Sequence, residues 1–241
     1  MSITGNTQYW GISGQTNVNP RLITDSILTY VDAANSNSFI SGSTTWFDLS
    51  KNFSNGTRFG TLSSTTQNLG AMYFNGSTNY VNFTKMNKTV LGSNFTISIW
   101  YFSTETGNQY SSVFQMGLSI SYFQPFINFF TNEQVGEARL VINGTVRIIG
   151  NSVFGYWNNA TITYDGTEWI LYFNGGISGT YVAPIGGVSG GLTTLGTGYE
   201  GYFKGYISNF IVYNRTLTQD EVRNNYLALK DRYGIIPYGP T

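Results

Sequence analysis

The chain has 241 residues, of which 10% are charged and 17% aromatic, and its twelve basic and twelve acidic residues cancel. A balanced charge provides no basic surface for nucleic acid or for a membrane, and no apolar run approaches the length of a membrane span. Because the chain has neither cysteine nor histidine, disulfides, thiolate metal sites and the commonest general base are excluded.

The first 24 residues are polar and poorly periodic, with Tyr9, Trp10 and Ile12 as their apolar cluster. We interpret this stretch as an N-terminal arm that binds a partner. The alternative is an edge strand that folds back on the domain. The start of the chain also lacks the basic region and apolar stretch of a signal peptide.

From Ile27 onward, short runs alternate apolar and polar residues, which predicts β-strands. In "NFTISIWYF", for example, Phe95, Ile97 and Ile99 share one side of an extended chain. Turn residues recur between the runs, a spacing typical of a β-sandwich rather than of alternating strands and helices. The other strands predicted before residue 151 lie in "SILTYVDA", "AMYFNGSTNYVNF", "SSVFQMGLSI", "FINFFT", "ARLVIN" and "TVRIIG".

The stretch "TITYDGTEWILYFNGG" at 161–176 predicts a hairpin, because Asp165-Gly166 separates two alternating runs with residues that tolerate positive φ. Its second strand is apolar on both sides, so we expect it inside the sandwich and not at an open edge. "GYFKGYISNFIVYN" predicts the last long strand. We expect Trp100, Trp157 and Trp169 in the core or at its margin, with sugar stacking as the alternative.

One helix is predicted near the end of the chain, in "NRTLTQDEVRNNYLALKDRYG". Thr218 and Glu221 have the spacing of a capping box. Gly234 is placed to end the helix. Apolar residues recur at helical spacing, and basic residues suit its last turn. The apolar set is Val222, Tyr226 and Leu229, and the basic pair is Lys230 and Arg232.

Five segments, in this order, resemble laminin-G-like domains of the concanavalin A-like lectin and glucanase superfamily. They are "TTWFDLS" at 44–50, "YFNGSTNYV" at 73–81, "FTISIWYF" at 95–102, "WNNATITYDGTEWILYFNGG" at 157–176 and "FKGYISNFIVYNRTLTQDEV" at 203–222. The stretches "ILTYVDAANSNSF" and "NNYLALKDRYGI" further resemble laminin-G-like domains of bacteriophage structural proteins.

The residues and the resemblance predict the same fold class, an all-β antiparallel β-sandwich (a jelly roll) with one short C-terminal helix. We divide the chain into an N-terminal arm at 1–24, a laminin-G-like domain at 25–233 and a tail at 234–241.

The resemblance raises the question of catalysis, because glucanases of this superfamily use two carboxylates at alternate positions of a strand. The close acidic pairs here are Glu133 with Glu137, Asp165 with Glu168, and Asp220 with Glu221. We expect Glu137 in a loop, Asp165 in a turn, and the last pair at the helix start. Since none of these pairs alternates along a strand, we predict that the protein is not an enzyme.

Many relatives bind calcium at one rim of the sandwich. The resemblance places the family's acidic residues at positions that are Asn79 and Ser208-Asn209 in this sequence. Because hard cations prefer charged oxygen ligands, we predict no bound cofactor, and calcium remains an alternative to test.

Glycan binding is the function most compatible with this fold. The segment "GTGYEGYF" places Tyr199, Glu200 and Tyr202 in a glycine-rich loop, where aromatic residues are harder to explain as core. We predict these three as glycan-binding residues, with Tyr110 and Tyr122 as weaker candidates. Oligomer contacts or tucked-in loop anchors are the alternative interpretation.

The arm and the resemblance together predict a protein of the virion surface. It would decorate a phage head or fibre, be assembled in the host cytoplasm, and bind other virion proteins through its arm. We also expect a homo-oligomer that contacts neither nucleic acid nor membrane. The alternative is a free lectin-like adhesion module outside any virus particle.

Overall fold

The structure is a computed structural model that describes residues 20–65, 70–86, 91–105, 110–117, 127–132, 136–152, 154–185 and 191–234. These residues form two β-sheets and a short C-terminal helix, so the predicted antiparallel sandwich is confirmed. Within these ranges, no helix is both long and apolar enough to cross a bilayer. Tyr9, Trp10, Ile12, Tyr122, Glu133 and the segment 235–241 lie outside the described residues.

The first sheet has eight strands. They are β1 (Ile27–Asp32), β4 (Ser64–Thr65), β5 (Ala71–Asn75), β7 (Phe95–Ser103), β12 (Trp157–Tyr164), β13 (Glu168–Phe173), β14 (Gly176–Val182) and β18 (Lys204–Tyr213). Their order is β14-β13-β12-β7-β18-β5-β4, and β1 also pairs with β18. The hairpin predicted at 161–176 is β12–β13, and β13 lies between two strands as expected.

The second sheet has ten strands. They are β2 (Thr45–Trp46), β3 (Gly56–Phe59), β6 (Tyr80–Phe83), β8 (Tyr110–Met116), β9 (Ile127–Asn132), β10 (Glu137–Ile142), β11 (Thr145–Asn151), β15 (Thr193–Leu195), β16 (Thr197–Gly198) and β17 (Gly201–Tyr202). Eight follow the order β11-β10-β9-β8-β15-β6-β3-β2, while β16 pairs with β17 and β17 pairs with β8.

The inner faces of the two sheets form the main core, because alternate residues of each strand point between the sheets. Trp169 belongs to this core and is fully buried. Trp100 and Trp157 are also buried, but they lie in a separate cluster with Tyr233 on the outer face of the eight-stranded sheet. The prediction of core or core-margin positions is thus confirmed for all three tryptophans.

The C-terminal helix, α1 (Gln219–Leu229), covers part of this outer face. Its start has the predicted capping box, since Thr218 accepts from the backbone N–H of Glu221 and the Glu221 side chain accepts from that of Thr218. Buried Val222 and partly buried Tyr226 and Leu229 pack against the sheet clusters.

The end of the helix differs from the prediction. α1 stops at Leu229, and Lys230–Tyr233 form a 3₁₀ turn that ends at Gly234 with φ 67°. The Arg232 guanidinium turns inward and pairs with Asp32 of β1 at 2.8 Å, so it is not a free charge at a helix end.

The chain that leads into β1 is fixed to the same helix. The Ile23 backbone N–H donates to Asn225 Oδ1 at 2.7 Å, and the Tyr213 hydroxyl donates to the Ile23 carbonyl at 2.9 Å. Arg215 joins Asp25 to Glu221. The described chain therefore begins beside α1, on the outer side of the eight-stranded sheet.

Candidate functional site

The glycine-rich segment predicted as a glycan loop is the β16–β17 hairpin. The Tyr199 N–H donates to Gln115 Oε1 at 2.7 Å, and the Glu200 N–H donates to Ser112 Oγ at 3.2 Å. Gln115 and Ser112 both belong to β8. Two hydrogen bonds from the hairpin backbone therefore hold it across the outer face of the ten-stranded sheet.

Glycine at position 198 permits this close approach. A Cβ there would lie 2.7 Å from Ser112 Oγ and 2.9 Å from Gln115 Oε1, closer than real contacts allow. Phe203, just after the hairpin, is fully buried in the core, whereas Tyr199 and Tyr202 are 50% and 40% exposed. The hairpin is thus anchored from below and presents its two tyrosine rings to solvent.

Strand register aligns the outward side chains of the ten-stranded sheet in rows. One row crosses six strands from β2 to β9, and every member is polar and uncharged. This polar row consists of Thr45, Thr57, Asn82, Thr194, Gln115 and Asn128. Since direct cross-strand partners share a face, these side chains form a continuous line beside the hairpin.

Aromatic residues flank the hairpin on both sides. Tyr80 stacks on Phe59 with ring centroids 4.5 Å apart, and its ring lies 6.4 Å from that of Tyr202. On the other side, Tyr110 packs edge-on against Phe130 at 5.4 Å. Tyr110, one of the two weaker glycan-binding candidates, is 40% exposed and belongs to the same face.

The hairpin face carries an ion pair and a half-buried acid. Arg139 Nε and Nη2 donate to Glu137 Oε2 at 2.9 and 2.8 Å, and Arg139 Nη1 donates to the Tyr110 hydroxyl at 3.3 Å. Burial raises the pKa of the Glu200 carboxyl, and the positive charge of Arg139 lowers it by less. The guanidinium of Arg139 therefore interacts with both acids, through hydrogen bonds with Glu137 and through its charge with Glu200.

Two buried amides on β9 have unpartnered atoms. Asn128 is fully buried with neither side-chain atom hydrogen-bonded, and buried Asn132 has an unpartnered Oδ1. The register places Asn128 opposite Gln115 and Asn132 opposite Tyr110, on the outer face. A buried polar group without a hydrogen-bond partner lowers the stability of the folded protein. These amides therefore do not contribute to stability in the way that hydrogen-bonded ones do.

The positions expected to replace calcium ligands hold the fold together. Asn79 Nδ2 donates to the carbonyls of Thr61 and Tyr73 at 3.2 and 3.3 Å. Ser208 Oγ donates to the Gly70 carbonyl and accepts from Arg232, and Asn209 Nδ2 donates to the Tyr233 hydroxyl. Across the described ranges, no three acidic residues come together as a metal site.

Most of the acids considered as catalytic pairs have structural partners. Asp165 Oδ1 accepts from the N–H groups of Thr167 and Glu168, as its predicted turn requires, and these bonds lower its pKa. Arg215 lowers the pKa of Glu221 to about 2. The expectation for Glu137 was wrong, because it is the first residue of strand β10 and alternates there with Arg139.

Sequence reasoning missed the contribution of Tyr80, Glu137 and Arg139 to this face. The alternation of Glu137 and Arg139 was visible as a strand pattern, but nothing local placed β10 two strands from β8. The grouping follows from pairing between distant segments, which a single sequence does not reveal.

Comparison with known proteins agrees with this architecture. The sequence model of a family described as the Concanavalin A-like lectin/glucanases superfamily matches residues 75–223, more than half of the chain. The chain therefore belongs to this superfamily. A search of the curated proteins gave no match.

Solved structures share the fold at low identity. Trypanosoma rangeli sialidase in complex with sialic acid matches with a TM-score of 0.69 and 13% identity, over 88% of this chain and 34% of the sialidase. The receptor binding domain of botulinum neurotoxin C/D mosaic serotype matches with a TM-score of 0.66 and 14% identity, over 85% of this chain and 51% of that chain. The chain thus spans a third to a half of these proteins, and at such identity the likeness shows the fold alone.

Proposed function

We propose that the protein binds carbohydrate without catalysing a reaction, through the outer face of the ten-stranded sheet around the β16–β17 hairpin. The observation that carries this proposal is the pair of half-exposed rings, Tyr199 and Tyr202, on a hairpin tethered to β8. Rings held in place offer an apolar surface with little conformational entropy to lose, which suits stacking on the carbon face of a sugar.

Hydrogen-bonding groups surround those rings. The polar row offers the exposed Thr57 and the partly exposed Thr45, Asn82 and Thr194. Glu200 offers a carboxylate between the two tyrosines along the chain. Sugar hydroxyls both donate and accept, as amide and hydroxyl side chains do. A surface that combines exposed rings with such groups is therefore suited to glycans, and the superfamily includes lectins.

The absence of catalysis is part of the proposal and depends on Glu137 and Glu200. A glycosidase needs one free carboxylate and one carboxylic acid on either side of the scissile bond. Burial gives Glu200 a raised pKa, but Glu137 Oε2 already accepts two hydrogen bonds from Arg139. The Glu137 carboxylate is thus engaged in an ion pair with Arg139, whereas a glycosidase needs a free carboxylate.

Binding is tested with a glycan array followed by calorimetry on the hits. We expect Tyr199→Ala/Tyr202→Ala to weaken binding at least about fivefold, because each of the two ring contacts contributes about 0.5–1.5 kcal/mol. Tyr156→Ala is the matched control, since Tyr156 is a 67% exposed tyrosine that precedes β12 of the other sheet. Binding that survives the double substitution would exclude the hairpin as the site.

Catalysis is tested on a polysaccharide panel with long incubations. We expect no reducing ends above background. Turnover that disappears in Glu200→Gln or Glu137→Gln would show that the protein is a glycosidase after all.

We further propose that the domain is displayed on a particle such as a virion, with a free adhesion module as the alternative. The described chain begins beside α1, on the side opposite the hairpin, so attachment there would leave the proposed glycan face outward. Deleting residues 1–19 keeps the contacts of Ile23 and is expected to abolish incorporation into purified particles while glycan binding persists. Unchanged incorporation, measured by mass spectrometry, would contradict attachment through this segment.

A further inference from the structure

We infer that the site selects uncharged glycans and discriminates against glycans that carry carboxylates, with Glu200 as a specificity-determining residue. This inference rests on the proposed function, because it concerns the same face and names the class of glycan that binds there. It is carried by the pairing of Arg139, the position of Glu200 and the uncharged polar row.

The guanidinium that could have bound an acidic sugar already has partners. Arg139 directs Nε and Nη2 to Glu137 and Nη1 to the Tyr110 hydroxyl, and its Cζ lies 5.2 Å from the centre of the Tyr110 ring. Proteins usually bind carboxylates through the paired donors of a free arginine. Here one such edge is occupied by Glu137, so a sugar carboxylate would have to compete with it.

Glu200 adds a second acidic side chain to this face, close enough to Arg139 for the guanidinium to act on its carboxyl. It lies between Tyr199 and Tyr202 along the chain, and its N–H is fixed to Ser112. Its side chain is half-buried, so water screens its charge less than at an open surface. With two carboxylates against one guanidinium, this part of the face repels an anionic ligand.

Among the described residues, the surroundings of the hairpin include a row of uncharged polar groups. The polar row is entirely neutral, and its exposed or partly exposed members are Thr45, Thr57, Asn82 and Thr194. Amides match the paired donor and acceptor capacity of sugar hydroxyls but cannot neutralise a carboxylate. An acidic sugar such as the sialic acid in the Trypanosoma rangeli sialidase complex is therefore not of the ligand class that these residues favour.

The test compares the full-length wild type with Glu200→Gln on paired oligosaccharides that differ only in a terminal sialic acid or uronic acid. In the wild type we expect the neutral member to bind at least about tenfold more tightly, the effect of one unit charge about 6 Å away in a medium of intermediate dielectric. Glu200→Gln should reduce this ratio about tenfold. Glu137→Gln, which frees Arg139, should reduce it further.

Glu168→Gln is the matched control, since Glu168 is an acid of β13 in the other sheet, and it should leave the ratio unchanged. Equal or tighter binding of the acidic member by the wild type would overturn this inference while leaving the proposed function intact. The inference would also be overturned if Glu200→Gln left the ratio of neutral to acidic affinity unchanged. If neither member of any pair binds, the proposed function fails and the inference fails with it.

Discussion

The outer faces of both sheets carry aromatic residues, but the tryptophans of one face are buried and two tyrosines of the other are exposed. On the eight-stranded sheet, Trp100 stacks on Tyr233 with ring centroids 4.0 Å apart and on Tyr226 at 5.7 Å, beneath the C-terminal helix. On the ten-stranded sheet, Tyr199 and Tyr202 stand half-exposed on a tethered hairpin. Aromatic residues are thus part of the structure on one face and available to a ligand on the other.

Two buried asparagines, one on each face, also differ. Buried Asn159, on the eight-stranded sheet, donates to Ser98 Oγ and to the Ile99 carbonyl at 3.1 and 3.3 Å. Asn128, equally buried on the ten-stranded sheet, has no partner. These two amides therefore differ, although the helix-covered face also contains unpartnered buried atoms, Trp157 Nε1 and Asn209 Oδ1. Stability and binding should respond separately to substitutions on the two faces.

The largest effect is expected from Trp100→Ala on the helix-covered face. Removing a fully buried ring that contacts two tyrosines should lower the free energy of unfolding by about 3–5 kcal/mol. Urea unfolding followed by circular dichroism measures this loss. The folded fraction should still bind glycan normally, and a selective loss of binding without destabilisation would show that the two faces are not independent.

Two matched amide substitutions should change stability in opposite directions. Asn159→Leu removes satisfied hydrogen bonds and is expected to destabilise the protein by about 1–3 kcal/mol. Asn128→Leu removes an unsatisfied buried amide of similar size and should stabilise it by about 1–2 kcal/mol. Thermal and urea unfolding of both variants provide the measurement. Destabilisation by Asn128→Leu would mean that this amide already has a partner in the folded protein.

The sequence is sufficient to predict much of the fold because the relevant signals are local. Alternation in "NFTISIWYF" predicts β7, Asp165-Gly166 predicts the β12–β13 turn, and Thr218 with Glu221 predicts the start of α1. Each pattern reflects a preference of the backbone or of neighbouring side chains, which operates over a few residues. The end of α1 was less predictable, since the ion pair of Arg232 with Asp32 joins residues 200 positions apart.

The candidate site was only partly predictable for the same reason. The tyrosines of "GTGYEGYF" were recognisable because aromatic residues among glycines are unusual in a core. Glu137 and Arg139 join them through the pairing of β8 with β9 and of β9 with β10. Long-range pairing decides whether an outward-facing strand residue contacts a helix, a hairpin or solvent. The alternation of apolar and polar residues along the strand is the same in all three cases, so it does not distinguish them.

A smaller effect on stability is expected from removing the charge of Glu221, which pairs with Arg215 at the start of α1. Arg215 holds the pKa of Glu221 at about 2, below the ordinary value of 4.5, so the ionised form is stabilised in the folded protein. This contribution is complete above pH 4.5 and is lost as the pH falls from 4.5 towards 2. We expect it to be about 1–2 kcal/mol after solvent screening is taken into account.

The variant Glu221→Gln isolates this charge, because glutamine preserves the capping box. Unfolding free energies of wild type and variant should differ at about pH 7 and converge near pH 2. A difference that stays constant over this range would show that the ion pair with Arg215 does not contribute.

The smallest stability effect is expected from Tyr199→Ala/Tyr202→Ala on the hairpin face. The half-exposed rings bury little area, and the hydrogen bonds to Gln115 and Ser112 come from the backbone, so both tethers remain. We expect a loss below about 1 kcal/mol, against several for Trp100→Ala. A loss as large as that of Trp100→Ala would mean that the two tyrosine rings are part of the packed structure. A loss of glycan binding in the double variant would then reflect unfolding and not a lost contact with the sugar.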